Sequence, residues 1–398
     1  MASTPHGQTQ PPRGEPFSLY IHIPYCVSKC PYCDFNSHVV PSIPETRYTE
    51  ALVRELSFYG ATEAWRGRSV QSVFFGGGTP STFRPESIGR ILERSQALFD
   101  FQREVEITLE ANPGTVDSAN FSGYRAAGVN RISLGIQSFQ PRWLELLGRV
   151  HSAAESREAL RIIRGAGFTN FNLDLMYALP GQPLVDLEQD LMEALGFDPP
   201  HLSAYNLTFE EGTPFYRRHR AGSLNSLPEE EEIAMAELIE STLADRGLER
   251  YEISNYALPG LHSRHNVNYW EGGDYLGIGA GAHAFRWGEE APFRGKRWQN
   301  EKEPGRYITS IGKRDEAVVE SDRINLTQAA GEFMFLGLRM TRGISVETFT
   351  RRFGKSPGEY YSEIEDWVKQ GWMEEREGRL RLTSRGLLVA NSLFVNFV

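Results

Sequence analysis

Short runs of apolar and β-branched residues alternate with longer segments of helical period through the first half of the chain, which predicts strands separated by amphipathic helices. The strand candidates are FSLYIHI (17–23), SVFFGG (72–77), EVEITLEAN (104–112), RISLGIQS (131–138), FNLDLMYAL (171–179) and HLSAYNLTF (201–209). Between them, RYTEALVRELSFYG, SIGRILERSQALF, SAAESREALRIIRGAG and LVDLEQDLMEALG repeat apolar residues at helical spacing, and several stop at glycine. A βαβα order of this kind predicts an α/β fold, a parallel sheet with covering helices. The strands read as apolar until their last residues, where polar groups or glycines enter. These are Cys26 beyond the first, Gly76-Gly77-Gly78-Thr79 after the second, Glu110 and Asn112 at the third, Gln137 and Ser138 at the fourth, Asp174 within the fifth, and Asn206 with Thr208 at the sixth. Each alone is an ordinary solvated strand end. Together they predict a site at the carboxyl ends of parallel strands, the face on which α/β barrels do chemistry.

From about residue 290 the pattern changes. GKRWQNEKEPGRYITSIGKRDE is charged and turn-rich and reads as a linker or surface excursion, whereas AAGEFMFLGLRM is helical. WVKQGWMEEREGRLRLTSRGLLVANSLF reads as helix, turn, two short strands and helix, which predicts a small winged-helix-like α+β domain over roughly 320–398. The expected division is a disordered tail at 1–16, a barrel domain at 17–290 and a C-terminal accessory domain at 291–398.

Composition adds exclusions. With 398 residues, 40% of them hydrophobic and 24% charged, the chain has material for a large core and an appendage. A formal net charge of −10 argues against a general nucleic-acid or anionic-membrane surface, and against a DNA-binding role for the winged-helix-like domain. A local basic pocket for a carboxylated ligand stays compatible with it. There is no apolar run of the ~18 residues needed to span a bilayer. The first residues lack the apolar stretch of a secretory signal, so a cytoplasmic location is expected. The three cysteines all fall in one short segment, which suits a reducing compartment and cannot make a paired disulfide framework.

That segment reads Tyr20-Ile-His-Ile-Pro-Tyr-Cys26-Val-Ser-Lys-Cys30-Pro-Tyr-Cys33-Asp-Phe35. Thiolates hold iron–sulfur clusters, normally one per iron. Cys26, Cys30 and Cys33 would therefore hold a [4Fe–4S] cube with one iron left open, where the amino and carboxylate groups of S-adenosylmethionine could bind. The alternative is zinc, with His22 or His38 as fourth ligand, although zinc ligands usually come as two separated pairs.

The spacing Cys-x3-Cys-x2-Cys with Tyr32 before the last cysteine is that of the radical S-adenosylmethionine superfamily. Together with FFGGGTPS, EITLEANPGT, RISLGIQSFQ, LGRVHS, FNLDLMYALPGQ and HNVNYW, in order across residues 20–285, the chain resembles the HemN/HemW family of oxygen-independent coproporphyrinogen III oxidase-like proteins. The resemblance implies a partial (β/α)6 TIM-like barrel of the radical S-adenosylmethionine type with a C-terminal accessory domain. It also implies that Tyr20, Tyr32, Gly77, Gly78, Thr79, Glu110, Gln137, Arg149 and Asp174 contact S-adenosylmethionine. Small residues at 77–78 let backbone approach the methionine amino group, Glu110 accepts from ribose or ammonium, Arg149 pairs with the carboxylate, and Asp174 bonds ribose hydroxyls. The alternative for Arg149 is a surface helix charge, since arginines are often exposed.

Two positions choose the branch. The porphyrinogen-oxidising members carry a further cysteine where this chain has Phe35, and His265-Asn266-Val267-Asn268-Tyr269-Trp270 matches the HNxxYW motif of the heme-binding branch. The resemblance is thus to heme chaperones, with heme as a third cofactor and His265 as its ligand. Tyr269 and Trp270 would wall the macrocycle, and no catalytic residue is assigned. Heme would pass to an unidentified acceptor protein, with transient contact to membrane-bound clients. The alternatives are radical decarboxylation of coproporphyrinogen III and, for His265 itself, a histidine simply fixed in a loop. His283 could equally sit at the cofactor site.

Overall fold

The computed structural model describes residues 15–288 and 293–397; most of the expected tail therefore lies outside the described residues. Among these, the barrel is carried by Phe17–Ile23 (β1), Ser69–Gly77 (β2), Asp100–Ala111 (β3), Arg131–Gln137 (β4), Phe171–Tyr177 (β5) and His201–Asn206 (β6). They pair in parallel in sequence order, each neighbour reached through a helical connection. This is the open six-stranded α/β barrel expected.

The strands are not apolar to their ends, as the sequence reading had it; they alternate. Leu19, Ile21, Val73, Phe75, Ile107, Leu109, Ile132, Leu134, Leu173, Leu175 and Leu202 point outward into the main core beneath the helices, all essentially inaccessible. The residues between them, such as Tyr20, Phe74, Glu110, Ser133, Asp174 and Ser203, line the interior. Side chains on a strand switch faces at every residue, so one face packs against helices and the other builds a polar lumen. Because Tyr20 and Phe74 on the lumen face are themselves aromatic, the alternation is masked in the sequence and the strands read as continuous apolar runs.

The sheet continues beyond the barrel on both sides. Glu249–Arg250 (β7) and Asn255–Ala257 (β8) add antiparallel to β6. Tyr275–Ile278 (β9) pairs parallel with β1, and His283–Trp287 (β10), Phe293–Asn300 (β11) and Val318–Asn325 (β12) follow antiparallel, making twelve strands among the described residues. The segment expected to be a linker is thus β11 and the helix Pro304–Arg314, whose Tyr307 and Ile311 pack fully buried against the barrel. The sheet runs past the expected boundary at 290 as far as Asn325.

A second core begins with the helix Leu326–Gly337 and gathers Met334, Phe349, Phe353, Trp367, Leu380 and Leu393. Ile344–Ser345 (β13), Met373–Arg376 (β14) and Arg379–Leu382 (β15) form its three-stranded antiparallel sheet, in the order β13-β15-β14, flanked by short helices as in a winged-helix arrangement. No helix among the described residues is long and apolar enough to cross a membrane.

Candidate functional site

The cysteine loop follows β1 directly and is closed by its own backbone. Cys26 N–H donates to His38 O (3.0 Å), His38 N–H to Pro24 O (2.6 Å) and Cys33 N–H to Cys30 O (3.2 Å). Lys29 Nζ spans the loop, donating to Phe35 O and Ser37 O at 3.2 and 3.3 Å. Asn36 anchors it to the sheet extension through Ala280 O and Lys302 O, both at 3.0 Å. All three thiols are free and partly accessible. Burial pushes the thiols of Cys26 and Cys33 up, so a bound cation is what would hold them as thiolates.

The histidines considered as zinc ligands have other employment. His22 Nε2 donates to Asn36 O (2.9 Å) and Nδ1 accepts from Tyr20 Oη (3.0 Å), so neither nitrogen is free. Burial lowers its pKa to about 4, which keeps the ring neutral. His38 Nε2 bonds Asn36 Oδ1 at 3.1 Å.

The loop forms one wall of a cavity of about 590 Å³ at the carboxyl ends of β1–β6. The cysteines, the nine residues expected to contact S-adenosylmethionine and His265 all line it: Cys26, Cys30, Cys33, Tyr20, Tyr32, Gly77, Gly78, Thr79, Glu110, Gln137, Arg149, Asp174 and His265; Trp270, expected to wall a macrocycle with Tyr269, does not. His283, by contrast, is exposed on β10 and is not part of the lining. Gly77 and Gly78 bring β2 against the cysteine loop. A Cβ on Gly77, which has φ +118°, would lie 2.6 Å from the His22 ring, and one on Gly78 would lie 2.6 Å from Tyr25 O. Their amides are already engaged, Gly77 N–H with Glu110 Oε2 (3.2 Å) and Gly78 N–H with Ile23 O (2.8 Å). Thr79 Oγ1 reaches Cys26 Sγ at 3.6 Å. At the far wall Gln137 adopts φ 70°, where a bulge shifts the β4–β5 register. A non-glycine held in the left-handed region stores strain, and such residues cluster at functional sites.

Charge of both signs lines the cavity. Glu110 is fully enclosed, and burial first, then the Asp174 charge, raises its pKa to about 8. Asp174 is raised by the same burial, while Asn172 Nδ2 (2.7 Å) and Ser133 Oγ (3.4 Å) donate to it. Arg149 is no surface charge. Its guanidinium donates to Asn112 Oδ1 (2.5 Å) and Gly135 O (2.8 Å) and reaches Cys30 Sγ at 3.5 Å. The Nε–H groups of Arg149 and Arg131 are both buried without a partner among the described residues. Two orphaned cationic donors and a carboxyl awaiting a cation are what an amino acid carboxylate and ammonium would satisfy. The donor set therefore fits S-adenosylmethionine beside a cluster held by three thiolates.

Arg131 is the residue the sequence reading missed. It opens β4, is 2% exposed, and lies near enough to Glu110, Asp174 and His265 to shift each of them. The available signal was an arginine starting an otherwise apolar run, a place where buried arginines are rare.

His265 sits in the helix Arg264–Trp270, whose first turn is capped by Ser263 and by the Glu106 carboxylate, which accepts from Arg264 and His265 N–H at 3.2 and 3.3 Å. The ring is 1% exposed, 5.0 Å from the Phe74 ring. Nδ1 bonds Ser72 Oγ (3.0 Å) and Nε2 bonds Tyr269 Oη (2.9 Å). Since Ser72 Oγ–H donates onward to Ser18 Oγ (2.7 Å), Nδ1 carries the proton and Nε2 accepts. Burial, with Arg131 adding to it, lowers the pKa to about 3, so the imidazole is neutral.

Comparison with known proteins gives the following likenesses. Residues 20–194 match the Radical SAM superfamily and residues 324–389 match the HemN C-terminal domain. The heme chaperone HemW of Haemophilus influenzae is 39% identical over 397 residues, covering 97% of this chain and 99% of that protein. The heme chaperone HemW of Escherichia coli is 37% identical, covering 96% of this chain and 98% of that protein. The coproporphyrinogen III oxidase HemN of Escherichia coli, described as a radical SAM enzyme, superposes with a TM-score of 0.80 at 22% identity, over 96% of this chain and 90% of that one.

Proposed function

Because the chain belongs to the HemW heme chaperone family, built on the radical S-adenosylmethionine fold, we propose that it binds heme and delivers it to an acceptor protein in the cytoplasm. A [4Fe–4S] cluster and S-adenosylmethionine occupy the barrel in this reading. Its main support is the convergence of the three cysteines, two orphaned arginine donors, Glu110, Asp174 and His265 on one cavity.

Cys26, Cys30 and Cys33 hold the cluster, which when bound supplies one-electron chemistry to the sulfonium beside it. Arg149, beside Cys30, takes the cofactor carboxylate. Glu110 takes the ammonium, giving up its proton as the cation arrives. Gln137 and Asp174 face the ribose, Tyr20 and Tyr32 wall the nucleoside, and Gly77, Gly78 and Thr79 leave room beside the cysteine loop. His265 is the heme ligand through Nε2. Its Nδ1–H is already fixed by Ser72, the arrangement that orients ligating histidines elsewhere. Ligation requires the Tyr269 side chain to swing away from Nε2, because its hydroxyl oxygen stands 2.9 Å from that atom. The acceptor includes membrane-bound clients met transiently.

Anaerobic reconstitution followed by parallel heme titration and coproporphyrinogen assay tests the reading. Saturable heme binding, with an axial signature lost in His265→Ala, is expected. Equal spectra for wild type and His265→Ala remove that ligand, and robust turnover of coproporphyrinogen III overturns the chaperone assignment.

A further inference from the structure

The helix Arg264–Trp270 stands between two cavities. His265 and Tyr269 face the barrel interior, whereas Asn268 and Trp270 line a larger cleft of about 1550 Å³. The start of β2 divides the same way, Ser72 bonding His265 Nδ1 (3.0 Å) and Gln71 Nε2 donating to Asn268 Oδ1 (2.6 Å). The cleft lies against the segments that lead into β1, β2 and β9, and the C-terminal unit closes its other side. Sites for single small molecules usually measure about 300–1,000 Å³, so this cleft is roomier than a small ligand needs. A segment of another polypeptide chain fits such a space.

We propose that this cleft is where the acceptor protein docks, through a segment carrying acidic side chains beside apolar ones, an inference that rests on the delivery reading above. Charge is the first argument. The chain as a whole has a net charge of −10, yet arginines outnumber acidic side chains seven to four in the described lining of the cleft. Two of those four acids are already paired, Asp274 with Arg68 at 2.8 Å and Glu271 with Arg342. Arg66, Arg294 and Arg352 are exposed and meet no acidic side chain at ion-pair distance among the described residues. Carboxylates of a partner complement this excess, the mode by which arginine clusters read acidic motifs.

Aromatic surface is the second argument. Trp270, Trp287 and Phe333 line the cleft half-buried. The Arg352 guanidinium sits 5.5 Å from the Trp287 ring centroid and 5.4 Å from that of Phe333. Stacking of this kind holds the planar fork in place before a partner arrives, so little side-chain freedom remains to be lost on pairing with a carboxylate. Tryptophan and arginine are also the residues that carry much of the binding energy at protein interfaces. Beneath them the Arg68–Asp274 pair is nearly inaccessible, and Asp274 also accepts from Trp287 N–H (2.8 Å), which fixes one aromatic wall. A partner seated here rests on the helix that carries His265, so the acceptor and the heme ligand meet opposite faces of one short helix.

The test selects a phage-displayed random-dodecapeptide library on the full-length, reconstituted protein. Fluorescence anisotropy then measures the selected peptides against wild type, Arg66→Glu, Arg352→Glu and His265→Ala. Arg66 is exposed with no side-chain partner among the described residues, so its reversal leaves the fold intact even if Arg352→Glu disturbs the stacked rings. Peptides rich in Asp and Glu beside aromatic residues are expected, with affinity lowered about tenfold or more by either arginine reversal and unchanged in His265→Ala. Added salt should weaken them. Selected peptides without acidic residues, or wild-type affinity in both arginine variants, overturn the docking site. Failure to enrich any peptide overturns it as well, and self-association of wild type lost in Arg66→Glu then gives the cleft to a second copy of the chain. Soret titration with hemin tests the delivery reading separately: no saturable binding by wild type removes heme as the cargo, while the anisotropy alone decides whether an acidic partner docks.

Discussion

Replacing Gly78 with alanine tests how the cysteine loop is held. Gly78 does not need glycine for its backbone angles, since its φ is not positive. It needs glycine because an added Cβ would lie 2.6 Å from Tyr25 O and 2.8 Å from both Tyr25 C and N. These are backbone atoms one residue before Cys26, and no rotamer change relieves the contact. The strand must move away from the loop, stretching the bonds from Gly78 N–H to Ile23 O and from Thr79 N–H to Tyr25 O, both 2.8 Å. Overpacking of this kind costs about 1–3 kcal/mol, and weakening two backbone hydrogen bonds adds about 1–2 kcal/mol. A loss of about 2–5 kcal/mol is therefore expected, a large part of the stability of an ordinary domain. It should come with reduced iron and sulfide per chain, because Thr79 and Cys26 shift together. Urea unfolding and iron analysis after anaerobic reconstitution read both effects. Gly114→Ala is the control, since its Cβ would meet only His151 Cβ at 3.9 Å. A Gly78→Ala protein within about 0.5 kcal/mol of wild type, the range of harmless surface changes, and with full iron content would refute the reasoning.

Other substitutions probe the sheet extension. Glu55 is fully buried and accepts from Tyr307 Oη (2.7 Å), Gly279 N–H (2.9 Å) and Asn300 Nδ2 (2.6 Å), tying the first helix to β9, β11 and the helix Pro304–Arg314. Burial raises its pKa from 4.5 to about 7 despite those donors. The folded chain thus keeps a proton that the unfolded chain loses, and stability falls as pH rises from about 4.5 to 7, by roughly 3 kcal/mol from this group. Glu55→Gln should flatten that slope in urea melts recorded from pH 5 to 8, and an unchanged slope would refute the assignment. Gly312 lies exposed inside the helix Pro304–Arg314 with nothing within 4 Å of an added Cβ. Gly312→Ala should raise stability by about 0.5–1 kcal/mol, and a lower melting temperature would show that this segment is not helical in solution.

Much of the site was legible in the sequence because its chemistry is local or periodic. Cys26, Cys30 and Cys33 lie within one loop, and the polar groups at the ends of β2 to β5 could be assigned to one face before their neighbours were known, since parallel strands bring their carboxyl ends together. The limits of β1 are those its apolar run marks out. What the tertiary structure decided depends on partners far along the chain. Arg131 reads as a solvated strand end until Glu110 and Asp174 are seen beside it. Gly78 looks like any turn glycine until Tyr25 O is found against it. β11 and β12 carry charge because they extend an antiparallel edge with one face in water, so KRWQN and VESDR gave no sign of joining the barrel sheet. The HNVNYW helix shows the division most clearly. Its six residues were recognisable as a motif, but only packing between the barrel and the C-terminal unit places His265 in one cavity and Trp270 in another. Local pattern determines which residues carry chemistry, and long-range contact determines which cavity each of them serves.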